Sequence, residues 1–267
     1  MRKIAISRAI VLVVSMFCLS AAAVGDAAMA RHSDKDVVAL TKSLSQLDKK
    51  FNRALDSKFK RSVLRGSGKE INVQTYLADL SEAIAIHGKR FTGSYAASTE
   101  ATEVLLRADF MNSYVHNNPS MKGANEWDVL GSGLQQLATA YGTSFPLPED
   151  AVIRRIGDGE LADAATAVNK FSKSMGKSIG GQTRKDKALA EPVSLIKAEL
   201  KTIGDTSKTL SSRIRSGKPA SAEARQLMEA VGRVDTLIAT EGMPDEVVAS
   251  WEAGKPSIQK IAQAYRL

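Results

Sequence analysis

The stretch WDVLGSGLQQLATAY, residues 127–141, has a second copy of its pattern in WEAGKPSIQKIAQAY at residues 251–265, and this repeat indicates how the chain is organised. The two tryptophans, the two tyrosines and several apolar positions between them are each separated by 124 residues, and the sequence contains no other tryptophan. Large aromatic side chains typically anchor a helix in an apolar core, although an aromatic pair can also line a ligand pocket between helices. We predict structural anchors at four positions: Trp127, Tyr141, Trp251 and Tyr265.

The repeat extends over most of the chain. Apolar positions with helical spacing in residues 44–59 recur 120 residues later, and those in residues 73–91 and 104–115 recur 123 residues later. Four matches in the same order, closed by the tryptophan stretch, favour a duplication of one bundle. The distance between matching segments increases from 120 to 124 residues along the chain. We expect the extra residues in the loops between helices, where insertions are tolerated.

Each copy is predicted to form a bundle of helices. In the first copy, Asn72 is a candidate N-cap for the second helix, and the third and fourth helices cover residues 101–115 and 127–141. The glycines at 180–181 and the Gly-Lys-Pro at 217–219 occupy comparable boundaries in the second copy. The expected fold class is all-α, with two tandem copies of a three- or four-helix antiparallel bundle after a cleaved signal peptide.

The fourth helix of each copy contains residues that weaken a helix between its tryptophan and its tyrosine. These are Gly131 and Gly133 in the first copy, and Gly254 and Pro256 in the second. A glycine inside a helix costs about 1 kcal/mol relative to alanine, and a proline costs more. The pattern therefore predicts a bend in both fourth helices.

Residues 1–30 have the features of a secretory signal peptide. Basic residues near the N-terminus precede an apolar run at residues 9–19, which is too short for a comfortable membrane span of about 20 residues. Small residues favour cleavage after Ala30, or earlier after Ala23. An uncleaved anchor and a lipoprotein modified at Cys18 are the alternatives. We expect a periplasmic or secreted protein.

The predicted domain boundaries follow the repeat and the prolines. They are a signal peptide at 1–30, a first copy at 31–145, a proline-containing linker at 146–159 and a second copy at 160–267. Cleavage removes the single cysteine, so the fold cannot depend on a disulfide. It also lowers the formal net charge from +8 to about +6, a balance that favours anionic surfaces but does not argue for specific nucleic-acid binding.

The first copy resembles a family of uncharacterised exported helical-bundle proteins of bacteria. The resemblance rests on Leu55-Asp56, which ends a Phe-Arg-Leu-Asp stretch in that family, and on the Trp-x6-Leu-x2-Leu-Ala-x-Ala-Tyr motif that starts at Trp127. It covers roughly residues 40–145. The chain departs from the pattern at Gly131, where the family usually has arginine, and at Phe145-Pro146, which replaces a terminal aromatic pair. The resemblance implies an exported all-helical fold and no particular activity.

A run of cations lies in the first helix, which is predicted from Asp34 or Asp36 to the glycines of residues 66–68. The cations fill positions outside the apolar stripe of this helix. Such a face either docks on anionic lipid or an anionic envelope polymer, or is an ordinary solvated surface. The candidate contact residues are Lys49, Lys50, Arg53, Lys58, Lys60 and Arg61.

Residue patterns that usually carry catalysis or bind cofactors are sparse in the sequence. His32, His87 and His116 show no metal-ligand spacing, and no Gly-x-Ser-x-Gly or Cys-x-x-Cys-His motif occurs. Residues 176–178, Gly-Lys-Ser, end like a phosphate-binding loop but lack its first glycine. We therefore expect no cofactor, no metal site and no enzymatic activity.

The leading functional hypothesis is an exported, non-enzymatic protein that acts by binding or scaffolding. A second hypothesis is association with membranes or anionic envelope polymers through the basic helix face. A third is a carrier for a small apolar ligand held inside a bundle. The candidate partners are an anionic envelope polymer, a lipid surface and another protein.

Overall fold

A computed structural model describes residues 31–66, 69–181 and 187–267. This part of the chain consists of α-helices joined by short connections, with one small antiparallel hairpin. The prediction of an all-α bundle is therefore confirmed. The predicted signal peptide, residues 1–30, lies outside the described residues. Within them, no helix combines the length and the apolar character that crossing a membrane requires.

The first bundle begins with a helix whose N-terminus has a capping box. The Ser33 hydroxyl accepts a hydrogen bond from the backbone of Asp36, whose carboxylate accepts one from the Ser33 backbone. Asn72 caps the third helix, as predicted, by accepting from the backbone N–H of Thr75 at 3.0 Å. The elements are α1 (Asp34–Ala54), α2 (Ser57–Lys60), β1 (Val63–Gly66), β2 (Lys69–Asn72), α3 (Val73–Arg90), α4 (Ser98–Asn117) and α5 (Ala124–Ala140).

The prediction of one continuous first helix to residues 66–68 is wrong, because α1 ends at Ala54. Leu55 is extended, and the Asp56 carboxylate accepts a hydrogen bond from the Lys58 backbone N–H at 2.7 Å, which starts α2. This local cap competes with continuation of the helix. Phe59 still packs on the first core, which explains why the apolar spacing continues through the turn.

The second bundle contains α6 (Asp158–Ile179), a 3₁₀ turn (Lys187–Leu189), α7 (Ala190–Arg215), α8 (Ser221–Thr240) and α9 (Asp245–Tyr265). In the first bundle, α1 packs against α3 and α5, and α4 packs against the same two helices. In the second bundle, α6 packs against α7 and α9, and α8 packs against the same two helices. The helix α6 begins inside the range predicted as a linker. Pro244 is the N-cap of α9.

Each bundle has its own apolar core. One cluster of buried side chains lies within residues 37–145 and another within residues 156–265. Trp127 and Trp251 are buried in these clusters, and their indole N–H groups bind corresponding side chains. Trp127 donates to Asn112 at 3.2 Å, and Trp251 donates to Asp235 at 2.6 Å. Each tryptophan thus joins the last helix of its bundle to the preceding one.

The burial pattern corrects the predicted register of the first helices. Buried positions of α6 follow those of α1 at 124 residues rather than 120, so that Leu44 corresponds to Val168. Phe51 corresponds to the buried Met175, whereas Phe171 is only partly buried. Apolar residues recur every three or four positions in both helices, so a shift of one helical turn preserves much of the apparent match.

The helices α5 and α9 continue through their glycines and Pro256 without ending. Gly133 and Gly254 lie in close packing, whereas a Cβ atom on Gly131 would meet nothing within 4 Å. A Cβ atom on Gly133 would lie 2.8 Å from Leu44 Cδ2, and one on Gly254 would lie 2.3 Å from Phe171 Cε1. These separations are too short for a real side chain. The last helix of each bundle therefore approaches the first helix through a glycine.

Candidate functional site

The predicted cations lie at the corner where α1 ends and α2 begins. Three are exposed on the last two turns of α1, and three lie on α2 or directly after it. The prediction of a single helix face is therefore wrong, although the short α1–α2 connection keeps both groups at the same end of the bundle. In the part of the chain that the structure describes, none of the six forms an ion pair. We call this surface the basic end: Lys49, Lys50, Arg53, Lys58, Lys60 and Arg61.

The carboxylates near the basic end are occupied elsewhere. Asp48 is buried and accepts hydrogen bonds from Ser81 Oγ at 2.5 Å and from Asn52 Nδ2 at 3.1 Å. Asp56 caps α2, and the hydrogen bond from the Lys58 backbone lowers the pKa of its carboxyl group. Lys122 reaches Asp56 only at 3.9 Å, which adds a further cation to the same end. The local charge is therefore strongly positive.

A groove of about 500 Å³ opens beside the basic end, between α1, α2 and α3. Lys60 and Arg61 line it together with the polar side chains of Asn52, Gln74 and Ser81. Cations and hydrogen-bond donors along one groove suit a phosphate or carboxylate group. The basic end therefore includes a concave surface.

A second candidate site lies between the two bundles and was not predicted. Asp34 and Asp158 are the first residues of α1 and α6, and each carboxylate accepts a hydrogen bond from the backbone N–H of the other, at 2.8 and 2.9 Å. Arg155 Nη2 lies 2.8 Å from the Asp34 carboxylate, and Arg31 pairs with Asp158. Each helix N-terminus is thus capped by an acid from the other bundle. We call these four residues the clasp.

The sequence contains a signal for the clasp. Arg31-His32-Ser33-Asp34 and Arg155-Ile156-Gly157-Asp158 share an Arg-x-x-Asp pattern at a separation of 124 residues, the same as that of the tryptophan stretches. Two predictions hide this match. One assigns residues 146–159 to a linker, and the other places the first helices of the two copies 120 residues apart. Both assumptions treat residues 155–158 as a connection instead of a helix start.

A cavity of about 300 Å³ adjoins the clasp. We call it the seam pocket. The Arg155 side chain is only 1% exposed, and its Nη atoms donate to His32 O, Asp34 Oδ1 and Ala140 O. Burial lowers the pKa of His32, which keeps this imidazole neutral at pH 7. The charged and polar lining residues are Arg31, His32, Thr139, Arg154, Arg155, Gln263, Tyr265 and Arg266.

The two anchor tyrosines have different surroundings. The Tyr141 hydroxyl donates to Ala96 O at 2.6 Å and lies 2.8 Å from His87 Nε2. Burial lowers the pKa of His87 to about 4, so Nε2 of a neutral imidazole donates to Tyr141. Tyr265 also has a buried side chain, and burial raises its pKa to about 12. Among the described residues its hydroxyl has no hydrogen-bond partner, and it lines the seam pocket.

The histidines do not come together. His87 is buried in the first core, His32 lies at the seam pocket and His116 is exposed in the last turn of α4. Within the described ranges, no group of three or more His, Cys, Asp or Glu side chains is placed to hold a metal ion. No protein-family model, curated protein or solved structure matches the chain.

Proposed function

We propose that this chain is an exported, non-enzymatic helical-bundle protein that acts by binding, and that its basic end contacts phosphate-bearing lipid surfaces. The observation that carries the proposal is the group of six cations at one end of the first bundle, none of them in an ion pair within the described part of the chain. A lysine or arginine near an anionic membrane contributes about 1 kcal/mol to binding.

The placement of the cations supports contact with a surface rather than with a buried ligand. Lys49, Lys50, Arg53, Lys58 and Arg61 are exposed, so they can approach lipid phosphates without any rearrangement of the core. Salt bridges elsewhere on the surface, such as Arg233–Glu199, would have to break before their cations could do the same. Screening limits this attraction to about 8–10 Å at physiological ionic strength, so binding should weaken steeply with salt.

We also infer that the two bundles arose by duplication of one ancestral unit. Three observations support this inference: the 124-residue register of buried positions in α1 and α6, the paired tryptophan hydrogen bonds and the two Arg-x-x-Asp starts. The basic end belongs to the first bundle alone. The second bundle exposes Lys170, Lys173 and Lys177 on α6, and these provide an internal comparison.

Co-sedimentation with vesicles tests the lipid proposal. The protein should bind phosphatidylglycerol-containing vesicles at low salt and not vesicles of phosphatidylcholine alone. Replacing Lys49, Lys50, Lys58 and Lys60 by glutamine should remove about 4 kcal/mol, which lowers the partition coefficient roughly a thousandfold. A control variant with Lys170, Lys173, Lys177 and Lys187 replaced by glutamine has the same net charge and should keep most of the binding.

Two outcomes would contradict the lipid proposal: no binding to anionic vesicles at low salt, or equal losses in the two variants. Binding to a soluble anionic polymer but not to vesicles would assign the basic end to a polymer partner. Export is tested separately by the intact mass of protein recovered from its own source without refolding. A mass that begins at Arg31 supports export, and a mass that retains Met1 contradicts cleavage.

A further inference from the structure

We propose that the seam pocket binds a small organic anion that carries a carboxylate or phosphate group. Four guanidinium groups line this cavity, and the two clasp acids beside it neutralise only part of their charge. Arg154 and Arg266 are exposed and form no ion pair within the described residues. Planar guanidinium groups bind carboxylates and phosphates with two parallel hydrogen bonds, so this lining selects oxyanions.

One donor that lines the pocket lacks an acceptor. The Tyr265 hydroxyl has no hydrogen-bond partner among the described residues, and it is not one of their fully buried, unpartnered atoms. A ligand in the pocket can therefore reach it, and an oxyanion supplies the acceptor lone pairs that such a donor needs. Arg155 Nε is also unpartnered, but it is too deeply buried to contact a ligand directly, and its charge acts on the pocket from behind the wall.

The size and the remaining lining restrict the ligand further. A volume of about 300 Å³ is at the lower end of the range found for small-molecule sites, and it excludes a polymer chain enclosed in the pocket. Ala140, Val152, Ile156 and Ala264 add an apolar part to the wall. This combination favours a short organic acid or phosphate ester over inorganic phosphate, because the apolar wall has nothing to contact in a bare ion.

The pocket is built by both bundles. Arg31, Thr139 and Ala140 come from the first bundle and its N-terminal approach, while Gln263 and Ala264 come from the end of α9. The Arg266 guanidinium donates to Thr139 O at 3.0 Å across the same boundary. A ligand held here would contact both bundles, so its binding should also oppose their separation. This inference does not depend on the basic end.

Ligand-induced thermal stabilisation and calorimetry on the full chain, prepared without refolding, test the proposal. The probes are succinate, glycerol 3-phosphate and inorganic phosphate, with neutral succinamide as the uncharged comparison. We expect the two organic anions to raise Tm and to bind more tightly than inorganic phosphate. Succinamide should have no effect. The preference between succinate and glycerol 3-phosphate identifies the oxyanion.

Two variants locate the binding in the pocket. Replacing both Arg154 and Arg266 by glutamine should weaken organic-anion binding at least about tenfold, because hydrogen bonds to charged groups are lost. Tyr265→Phe removes only a hydroxyl that has no partner, so it should fold normally and weaken binding several-fold. The matched control replaces Arg53 and Arg61, which lie at the basic end, by glutamine and should keep the affinity.

The proposal is overturned if no anion at millimolar concentration stabilises the protein, if succinamide binds as well as succinate, or if the Arg154 and Arg266 double variant keeps full affinity. Inorganic phosphate binding as tightly as the organic anions would overturn the organic part of the assignment. The pocket variants should leave binding to anionic vesicles unchanged. A failure at the pocket is therefore distinguishable from a failure at the basic end.

Discussion

Burial of His87 should make this protein less stable in mild acid. The imidazole is 1% exposed and lies between two polar groups, with Nδ1 3.1 Å from Thr41 Oγ1 and Nε2 2.8 Å from the Tyr141 hydroxyl. Since Tyr141 donates its own proton to Ala96 O, it accepts one from Nε2. The Thr41 hydroxyl lies within hydrogen-bond distance of both Val37 O and Nδ1, and donation to Nδ1 satisfies a neutral imidazole that carries its proton on Nε2. Burial lowers the pKa of His87, and the charge of Glu100 opposes this only in part.

The size of the effect follows from the pKa. Burial lowers the pKa of His87 from 6.5 to about 4, so in this range the unfolded chain takes up a proton that the folded chain does not. The free energy of unfolding then decreases as the pH falls. The difference between the two pKa values corresponds to about 3 kcal/mol. This contribution is fully present above about pH 6.5 and is lost progressively towards pH 4.

Urea unfolding of the wild type and of His87→Leu, measured from pH 7.5 to pH 4, tests the prediction. Leucine is the residue at the corresponding buried position of the second bundle, Leu210, so the substitution suits the fold. Relative to the variant, the wild type should lose about 3 kcal/mol over this range. His116→Leu is the control for an exposed histidine. His32, whose pKa burial also lowers, is present in all three proteins and cancels in the comparison.

Parallel loss of stability in the wild type and in His87→Leu would refute this reasoning. It would mean that the imidazole is charged in the folded protein at acidic pH, or that the buried environment is hydrated. A difference in the loss of stability much smaller than about 3 kcal/mol between pH 6.5 and pH 4 would contradict a folded-state pKa of about 4 for His87. The sign of the difference at pH 7.5 is not part of the test, because leucine changes both a hydrogen bond and the apolar packing.

Three further substitutions test the packing and the buried acid. Gly254→Ala should destabilise the protein by about 1–3 kcal/mol, because its Cβ would overlap the Phe171 ring. Gly232→Ala, where α8 leaves space for a Cβ atom, should stabilise the protein by about 1 kcal/mol. Equal effects of the two substitutions in chemical denaturation would contradict the close approach of α9 to α6. Burial raises the pKa of Asp48, opposed by the hydrogen bond from Ser81, so its contribution to stability decreases as the pH rises through the folded-state pKa. Asp48→Asn should therefore be more stable than the wild type at pH 7 and gain little at pH 3, and urea unfolding that shows the reverse order would refute this.

Most helix boundaries could be predicted because the residues that set them are local. Asn72 caps α3 with its own side chain, and α4 ends directly before Asn118-Pro119. The hairpin of residues 63–72 was not predicted, since its short strands follow an apolar stripe that looked helical. It follows α2, which begins at the cap made by Asp56, and a single aspartate carries little weight in a sequence pattern against seven regularly spaced apolar residues.

The seam could not be predicted from local patterns. The clasp joins Asp34 to a backbone group 124 residues away, and no periodicity within either helix indicates such a contact. The register error arose because Phe171 matches Phe51 by residue type, whereas the structure gives the equivalent buried position to Met175. Matching by residue type therefore gave a different alignment from matching by burial. Only the burial of each position shows which residues of the helix face the core.

The two anchor tyrosines differ in whether their hydroxyl groups are engaged in the core. In the first bundle His87 binds the Tyr141 hydroxyl, whereas Leu210 occupies the corresponding position in the second and leaves the Tyr265 hydroxyl without a partner among the described residues. A hydroxyl that is fully engaged in the core cannot also bind a ligand. Leu210 therefore leaves the second tyrosine available to the seam pocket. Introducing a histidine there with Leu210→His should engage this hydroxyl and weaken anion binding in the pocket, while leaving vesicle binding at the basic end intact. Unchanged anion affinity in a folded Leu210→His variant would show that the free hydroxyl plays no part in the pocket.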